Sequence, residues 1–558
     1  MKTKWWQDTI IYQVYLRSFN DTNNDGIGDI QGVIEKLDYL EDLGVETLWI
    51  SPHYDSPMDD NGYDVRDFFK VSEDYGTIED FKSLLAKTKE RGMKVITDLV
   101  LNHTSDEHPW FEAAKDPAHK DHEKYHDYYI WHKPKYDESG NKVLPTQWVS
   151  WFGGPVWEYN EPTDEYYLHI FSKKMPDLNW RNKAMREELK AMIQWWVDLG
   201  VDGFRVDASN HLEKNWDFPD GKPGYEHFSS LPKHHDYLEE LGVEIFYPNN
   251  LLTIGEAGGA TKKEALRYAG FDSKEFNMLI QFEHCWVDTD DSNHLTPGKW
   301  AKGEVDVPRI KKSFNHWIDV FKEKGWNTIY WHNHDQPRIV SHYGSDCLEY
   351  HEKSAKMLAY TLYLLPGTPI VYQGEEIGMT NVDYQQLSDF RDVEVFTEYD
   401  NFMRNGASHE VAMQALRDRS RDNARSPMQW NTMLHAGFSE HEPWMKTVGN
   451  YPLINVKLQA QNETSILNTY KTLLALRKEE ALAHANVEFL DLDHEESFNY
   501  VVKGNNHTYL VLANFKASTI EMDCPYNLED YTLFMSNTHS IDGLTFTPYE
   551  ARIYRKKH

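Results

Sequence analysis

Cysteine is scarce in this chain. Cys285, Cys347 and Cys524 are the only three in 558 residues, odd in number and far apart. No disulfide framework or Cys-x-x-Cys metal site can be built from them, and they suit a reducing compartment. Positive charge is in deficit, with 58 Lys and Arg against 90 Asp and Glu, a formal net charge of −32. That balance excludes the basic footprint that nucleic acid demands and any pull towards anionic lipid. Long apolar runs are missing as well, since no window reaches the roughly 18 residues of a membrane helix. Residues 1–8 run into a strand-like stretch at 10–16 without the apolar core and small-residue cleavage site of a signal peptide. The expectation is a cytoplasmic protein without nucleic-acid or membrane partners, monomeric or weakly homo-oligomeric.

Aromatic residues, by contrast, are plentiful: 33 Tyr, 25 Phe and 19 Trp. Most must pack a large core, but flat rings also suit the flat faces of sugars. Three early segments share one grammar of amphipathic helix, glycine stop and short apolar strand. Ile30, Ile34, Leu37, Leu40 and Leu43 precede Gly44 and a strand at 45–50. Thr77 caps a helix with Asp80 three residues on, and Gly92 ends it before 94–99. Met185, Leu189, Met192, Ile193 and Trp196 line a helical face that Gly200 closes before 201–206. Gly242 repeats the punctuation before 251–254, and further strands are expected within 276–282, 327–331 and 369–372. Alternating strands and helices over this length predict a parallel (β/α)8 barrel. Residues 1–103 form its first part, and 104–174, poor in helical periodicity, an inserted subdomain after strand three. Residues 175–482 complete the barrel with an interruption at about 380–436, and 483–558 form a C-terminal antiparallel β domain, a β-sandwich.

Acidic residues sit at the strand ends, where such a barrel presents reactive groups. In Gly203-Phe204-Arg205-Val206-Asp207, alternation across the strand sends Arg205 and Asp207 the same way, into the barrel mouth. A guanidinium beside a carboxylate lowers its pKa, which suits a nucleophile. Glu256 ends the next strand, Asp335 follows Asn333-His334, and Asp98 precedes Asn102-His103. Two carboxylates flanking a bond are what glycoside hydrolysis requires, one a proton donor and the other a nucleophile or base. In residues 21–29, oxygen-bearing side chains stand at alternate positions, and glycines allow a tight wrap, a pattern suited to Ca²⁺. The EF-hand pattern fails there, because Gly32 stands where its Glu would be.

Residues 98–103 (DLVLNH), 203–207 (GFRVD), Gly255-Glu256 and Asn333-His334-Asp335 follow the order of motifs in glycoside hydrolase family 13, the α-amylase family, which the chain closely resembles. Residues 175–180 (MPDLNW) and 420–430 (SRDNARSPMQW) resemble its oligo-1,6-glucosidase and α-glucosidase subgroup. The resemblance implies Asp207 as nucleophile, Glu256 as acid/base and Asp335 as transition-state stabiliser. It implies that His103, Arg205 and His334 line the pocket, that Asp64 and Arg421 grip the non-reducing end, and that Tyr63 and Phe171 form an aromatic wall. It also implies a structural Ca²⁺ (Mg²⁺ as the alternative) on Asp21, Asn23, Asp25, the Ile27 carbonyl and Asp29, and no organic cofactor. The implied activity is exo-acting, on oligosaccharide or disaccharide α-glucosides. Oligo-1,6-glucosidase or dextran glucosidase action, transglucosylation, sucrose isomerisation and trehalose-6-phosphate hydrolysis are alternatives on the same scaffold, and an amylase-like ancillary protein is the non-enzyme alternative. In the resembled subgroup Ala at position 208, rather than Val, goes with α-1,4 over α-1,6 bonds.

Overall fold

The computed structural model describes residues 4–539, 541 and 543–558. Eight parallel strands build its centre: β1 (Ile11–Val14), β2 (Thr47–Ile50), β3 (Lys94–Val100), β4 (Gly203–Asp207), β5 (Leu252–Glu256), β6 (Met278–Ile280), β7 (Thr328–Ile329) and β8 (Thr368–Tyr372). Hydrogen bonds run in the order β6-β5-β4-β3-β2-β1-β8-β7. The Thr328 hydroxyl of β7 donates to the Leu279 carbonyl of β6, drawing the two ends of the sheet together into a barrel. The strands are short and apolar because both faces are covered, by side chains filling the barrel and by helices outside it.

The helix stops act locally where expected. Gly44 and Gly200 take left-handed φ of 92° and 115° at the ends of Leu37–Leu43 and Lys183–Leu199, a conformation only glycine reaches without strain. Thr77 and Asp80 form the expected capping box. Gly242 does something else. Its φ is −60°, and the helix His234–Leu241 continues through it as a π-turn, Gly242–Phe246. A Cβ there would sit 1.6 Å from the Lys274 carbonyl oxygen. Close backbone approach, not a helix stop, requires that glycine.

Within 104–174 lies a three-stranded antiparallel sheet, with Glu165–Leu168 between Trp131–His132 and Trp157–Asn160. Ile130, Trp148, Trp157 and Leu168 share its own small core. Within 380–436 two helices, Val393–Arg404 and His409–Arg419, pack on one another. After residue 483 come a five-stranded antiparallel sheet and a two-stranded ribbon, with Leu510, Leu512, Ile520 and Phe546 in a common core. No helix among the described residues is long and apolar enough to cross a membrane.

Candidate active site

The strand alternation puts Arg205 inside the barrel with no exposed surface. Its Nη1 lies 2.6 Å from both Asp98 and Asp207, and its Nη2 lies 2.8 Å from Glu256. One guanidinium therefore ties the ends of β3, β4 and β5 together. Trp49 Nε1 donates to the other Asp98 oxygen at 2.7 Å, and the Ala208 N–H donates to Glu256 Oε2 at 2.9 Å. Arg205 was expected on the pocket wall; it lies beneath it, behind the acids it holds.

The expected low pKa of Asp207 does not follow. Burial is the largest influence, and the carboxylates of Glu256, Asp98 and Asp335 add to it, so Asp207 is pushed well above the usual range despite Arg205. Burial likewise lifts Asp98 to about 6. For Asp207 and Asp98, burial and the repulsion of neighbouring carboxylates outweigh the shared cation. Asp335 behaves in the opposite sense. Burial pushes it up, but His334, Arg421, Arg425 and Arg205 hold it well below the usual carboxylate range. Its oxygens lie 3.0 Å from Arg425, 3.5 Å from Arg421 and 3.2 Å from His334 Nε2.

The two histidines are neutral, since burial lowers His103 and His334 to about 3. His334 is fixed by Gln13 at 2.8 Å and the Tyr63 hydroxyl at 2.7 Å, and its ring stacks on Tyr63. His103 is steadied by Asn102 at 3.2 Å, which in turn accepts from Lys214 at 2.8 Å. Lys214 is wholly buried and pairs with Asp177, of the 175–180 motif, at 2.8 Å. Neither Lys214 nor Gln13 carries a sequence signal, because each matters only through partners far along the chain.

These groups surround a cavity of about 90 Å³, with Tyr63, His103, Phe171, Asp207, Ala208, Glu256, His334, Asp335 and Arg421 on its walls. The acid facing Arg421 there is Asp60, 3.1 Å away, and not Asp64. Asp64 is fully buried, and its carboxylate accepts from Ser56 Oγ and from the N–H groups of Asp59 and Asp60 at 2.8–3.0 Å. It knots the loop that presents Asp60. Arg421 is gripped from behind by Asp392, at 2.7 Å to Nε and 2.6 Å to Nη2, and its guanidinium lies 4.8 Å over the Phe152 ring.

The loop 21–29 lies elsewhere, against the segment 438–444, through Asp21 N–H to Phe438 O and Trp444 N–H to Gly26 O. Asp21 accepts from the N–H groups of Asn23, Asn24 and Gly26, Asp25 from that of Ile27, and Asp29 caps the helix Ile30–Glu35. An oxygen-only donor set suits a hard cation. The loop's own N–H groups meanwhile engage its carboxylates, and no cluster of three His, Cys, Asp or Glu poised for a metal is found among the described residues.

The family model of the alpha amylase catalytic domain matches residues 13–485. The chain belongs to the alpha-amylase family. It is a glycoside hydrolase on the (β/α)8 scaffold of that family, with oligo-1,6-glucosidase and α-glucosidase relatives. The chain is 43% identical to an oligo-1,6-glucosidase of Halalkalibacterium halodurans, with both chains covered in full. Among solved structures, an isomaltulose synthase from Klebsiella sp. LX3 is similar with a TM-score of 0.93 and 36% identity, covering 100% of each chain. A Bacillus licheniformis trehalose-6-phosphate hydrolase gives 0.90 and 37%, covering 99% of this chain and 100% of its own.

Proposed function

We propose that this family member is a retaining exo-α-glucosidase, releasing one glucose at a time from the non-reducing end of short α-glucosides. The observation that carries this reading is a charged pair in the pocket wall: Arg421 and Asp60 lie 3.1 Å apart in the lining that also holds Asp207 and Glu256. A terminal sugar then has charged partners for its hydroxyls and reaches the acids at its anomeric end.

In the proposed mechanism Asp207 attacks the anomeric carbon as a carboxylate while Glu256, as a carboxylic acid, protonates the leaving oxygen. The glycosidic bond breaks as the Asp207 ester forms. Glu256 then takes a proton from water, whose oxygen displaces Asp207 and restores the α configuration. Asp335, held ionised by its cationic neighbours, stabilises positive charge at the anomeric centre. Both acids reach one guanidinium, which supports the close spacing of a double displacement over the wider spacing of inversion.

Ala208 stands in the cavity wall beside Asp207, and its small side chain supports an α-1,4 preference. We also read the loop 21–29 as a structural Ca²⁺ site, where Asp21, Asn23, Asp25, the Ile27 carbonyl and Asp29 would hold the ion and brace the fold. The free thiols of Cys285, Cys347 and Cys524 support a cytoplasmic location. NMR of the first-formed sugar tests the mechanism: α-glucose is expected, and initial β-glucose overturns it. Asp207→Asn is expected to cost on the order of 10⁴-fold in kcat. A product profile on maltose, isomaltose, sucrose, trehalose and trehalose 6-phosphate separates this reading from the activities named for its relatives.

A further inference from the structure

A second cavity opens at the other end of the barrel. Asp207 and Glu256 end β4 and β5, whereas this cavity is walled by residues where strands begin. Ile10 precedes β1, Glu46 precedes β2, Lys94 is the first residue of β3, and Pro369 follows Thr368 at the start of β8. Its volume is about 490 Å³, against about 90 Å³ for the sugar pocket, and falls in the range of small-molecule sites. None of its lining residues takes part in the chemistry described above.

In a chain of net charge −32, Lys94, Arg477 and Lys478 gather in this wall, with Asp8 and Glu46 as the acids among them. The lysines have acidic partners: Lys94 lies 3.0 Å from Asp202 and Lys478 lies 2.7 Å from Glu46. Arg477 has none. It is 4% exposed, and its two Nη groups donate to the carbonyls of Tyr363, Leu365 and Gly367 at 2.6–2.7 Å, with no carboxylate paired to it among the described residues. Burial lowers its pKa to about 10. A buried cation without a counter-ion is costly, and an anion in the adjoining cavity would offset that cost.

The rest of the wall suits a sugar. Trp5 is half-buried, and its ring centroid lies 5.6 Å from Lys94 Nζ, so an apolar ring face and an ammonium stand side by side. Ala481 and Ala483 extend the apolar surface. Asp8 meets His484 through one oxygen at 2.7 Å, and Glu46 meets Lys478 through one, which leaves each carboxylate a second oxygen for a hydroxyl. C–H groups of a sugar pack on an aromatic face, while guanidinium and ammonium groups recognise phosphate oxygens.

We propose that this cavity binds a phosphorylated hexose, with its phosphate beside Arg477, Lys94 and Lys478 and its ring on Trp5. The site is separate from the catalytic pocket and does not depend on which glucoside is cleaved there.

The test titrates the full chain with glucose 6-phosphate while 1-deoxynojirimycin saturates the catalytic pocket, followed by calorimetry and tryptophan fluorescence. A Kd of about 1 mM or below is expected, with glucose and inorganic phosphate, taken singly, at least about tenfold weaker. Lys94→Met should weaken glucose 6-phosphate about ten- to a hundredfold, and Trp5→Ala about three- to tenfold, with turnover at the catalytic pocket unchanged in both. Absence of binding overturns the proposal, and so does binding that both variants leave untouched. Phosphate or glucose bound as tightly as the ester overturns the assignment to a hexose phosphate. If Lys94→Met does not fold, Lys478→Met takes its place: weakened binding supports the site and unchanged binding overturns it.

Discussion

Arg421 and Asp60 stand 361 positions apart in the chain and 3.1 Å apart in the fold. Both line the sugar pocket, while Asp64, four residues beyond Asp60, does not. The two acids should therefore respond differently to the same change. Asp60→Asn is expected to raise KM for maltose about 10- to 100-fold, the scale of a lost charged hydrogen bond to a sugar hydroxyl. Asp64→Asn should mainly lower Tm, because its carboxylate serves the loop's N–H groups. Steady-state kinetics and calorimetry on both variants decide it, and the reverse pattern would restore Asp64 to the pocket.

Linkage preference should turn on Ala208. Its backbone is left-handed, with φ 45° and ψ 36°, a region costly for β-branched residues. Ala208→Val is therefore expected to lower Tm as well as crowd the space beside Asp207. The unmodified protein should favour maltose over isomaltose. The substitution should move the ratio of kcat/KM values towards isomaltose by roughly 1–3 kcal/mol. A strong initial preference for isomaltose, or an unmoved ratio, contradicts the account.

Stability should fall on the acid side of neutrality. Burial lowers His53, His103, His108, His211, His234, His284 and His334 to about 3, against about 6.5 in an unfolded chain. Between about pH 6.5 and 4 the unfolded chain takes up protons that these rings refuse in the fold, and stability falls as pH falls. Burial raises Asp64 and Asp98 to about 6 and Asp60 to about 7, which works in the opposite sense over this range and makes the fall shallower. Below about pH 4, Asp335 and Asp392, held low by their arginines despite burial, add to the loss as they are protonated. Scanning calorimetry from pH 8 to 3 should show a Tm that drops as pH falls below about 6.5, with a steeper slope in Asp64→Asn. A Tm maximum near pH 5 would falsify this ordering.

If the loop 21–29 holds Ca²⁺, chelation should lower Tm and added Ca²⁺ should restore it, since a ligand bound only by the folded state stabilises by mass action. Asp21→Ala should abolish that response with little change in kcat. An indifferent Tm, together with metal analysis finding no bound ion, would leave the loop a plain turn.

The barrel and its four polar strand ends are legible in the residues themselves. Alternation along 203–207 fixes which way Arg205 and Asp207 point, and a helix end needs a left-handed residue such as Gly44 whatever surrounds it. These are properties of a few adjacent residues, and the chain carries them locally. Gly242, Lys214, Asp60 and the charge state of Asp207 are of another kind. Gly242 answers to a carbonyl at Lys274, Lys214 to Asp177 and Asn102, and Asp60 to an arginine on a distant loop. For Asp207, the adjacent Arg205 predicts a lowered pKa, but acids from β3, β5 and the loop after β7 share the same low-dielectric space and reverse it. Burial and electrostatics sum over everything within several ångströms, and only folding brings those neighbours together.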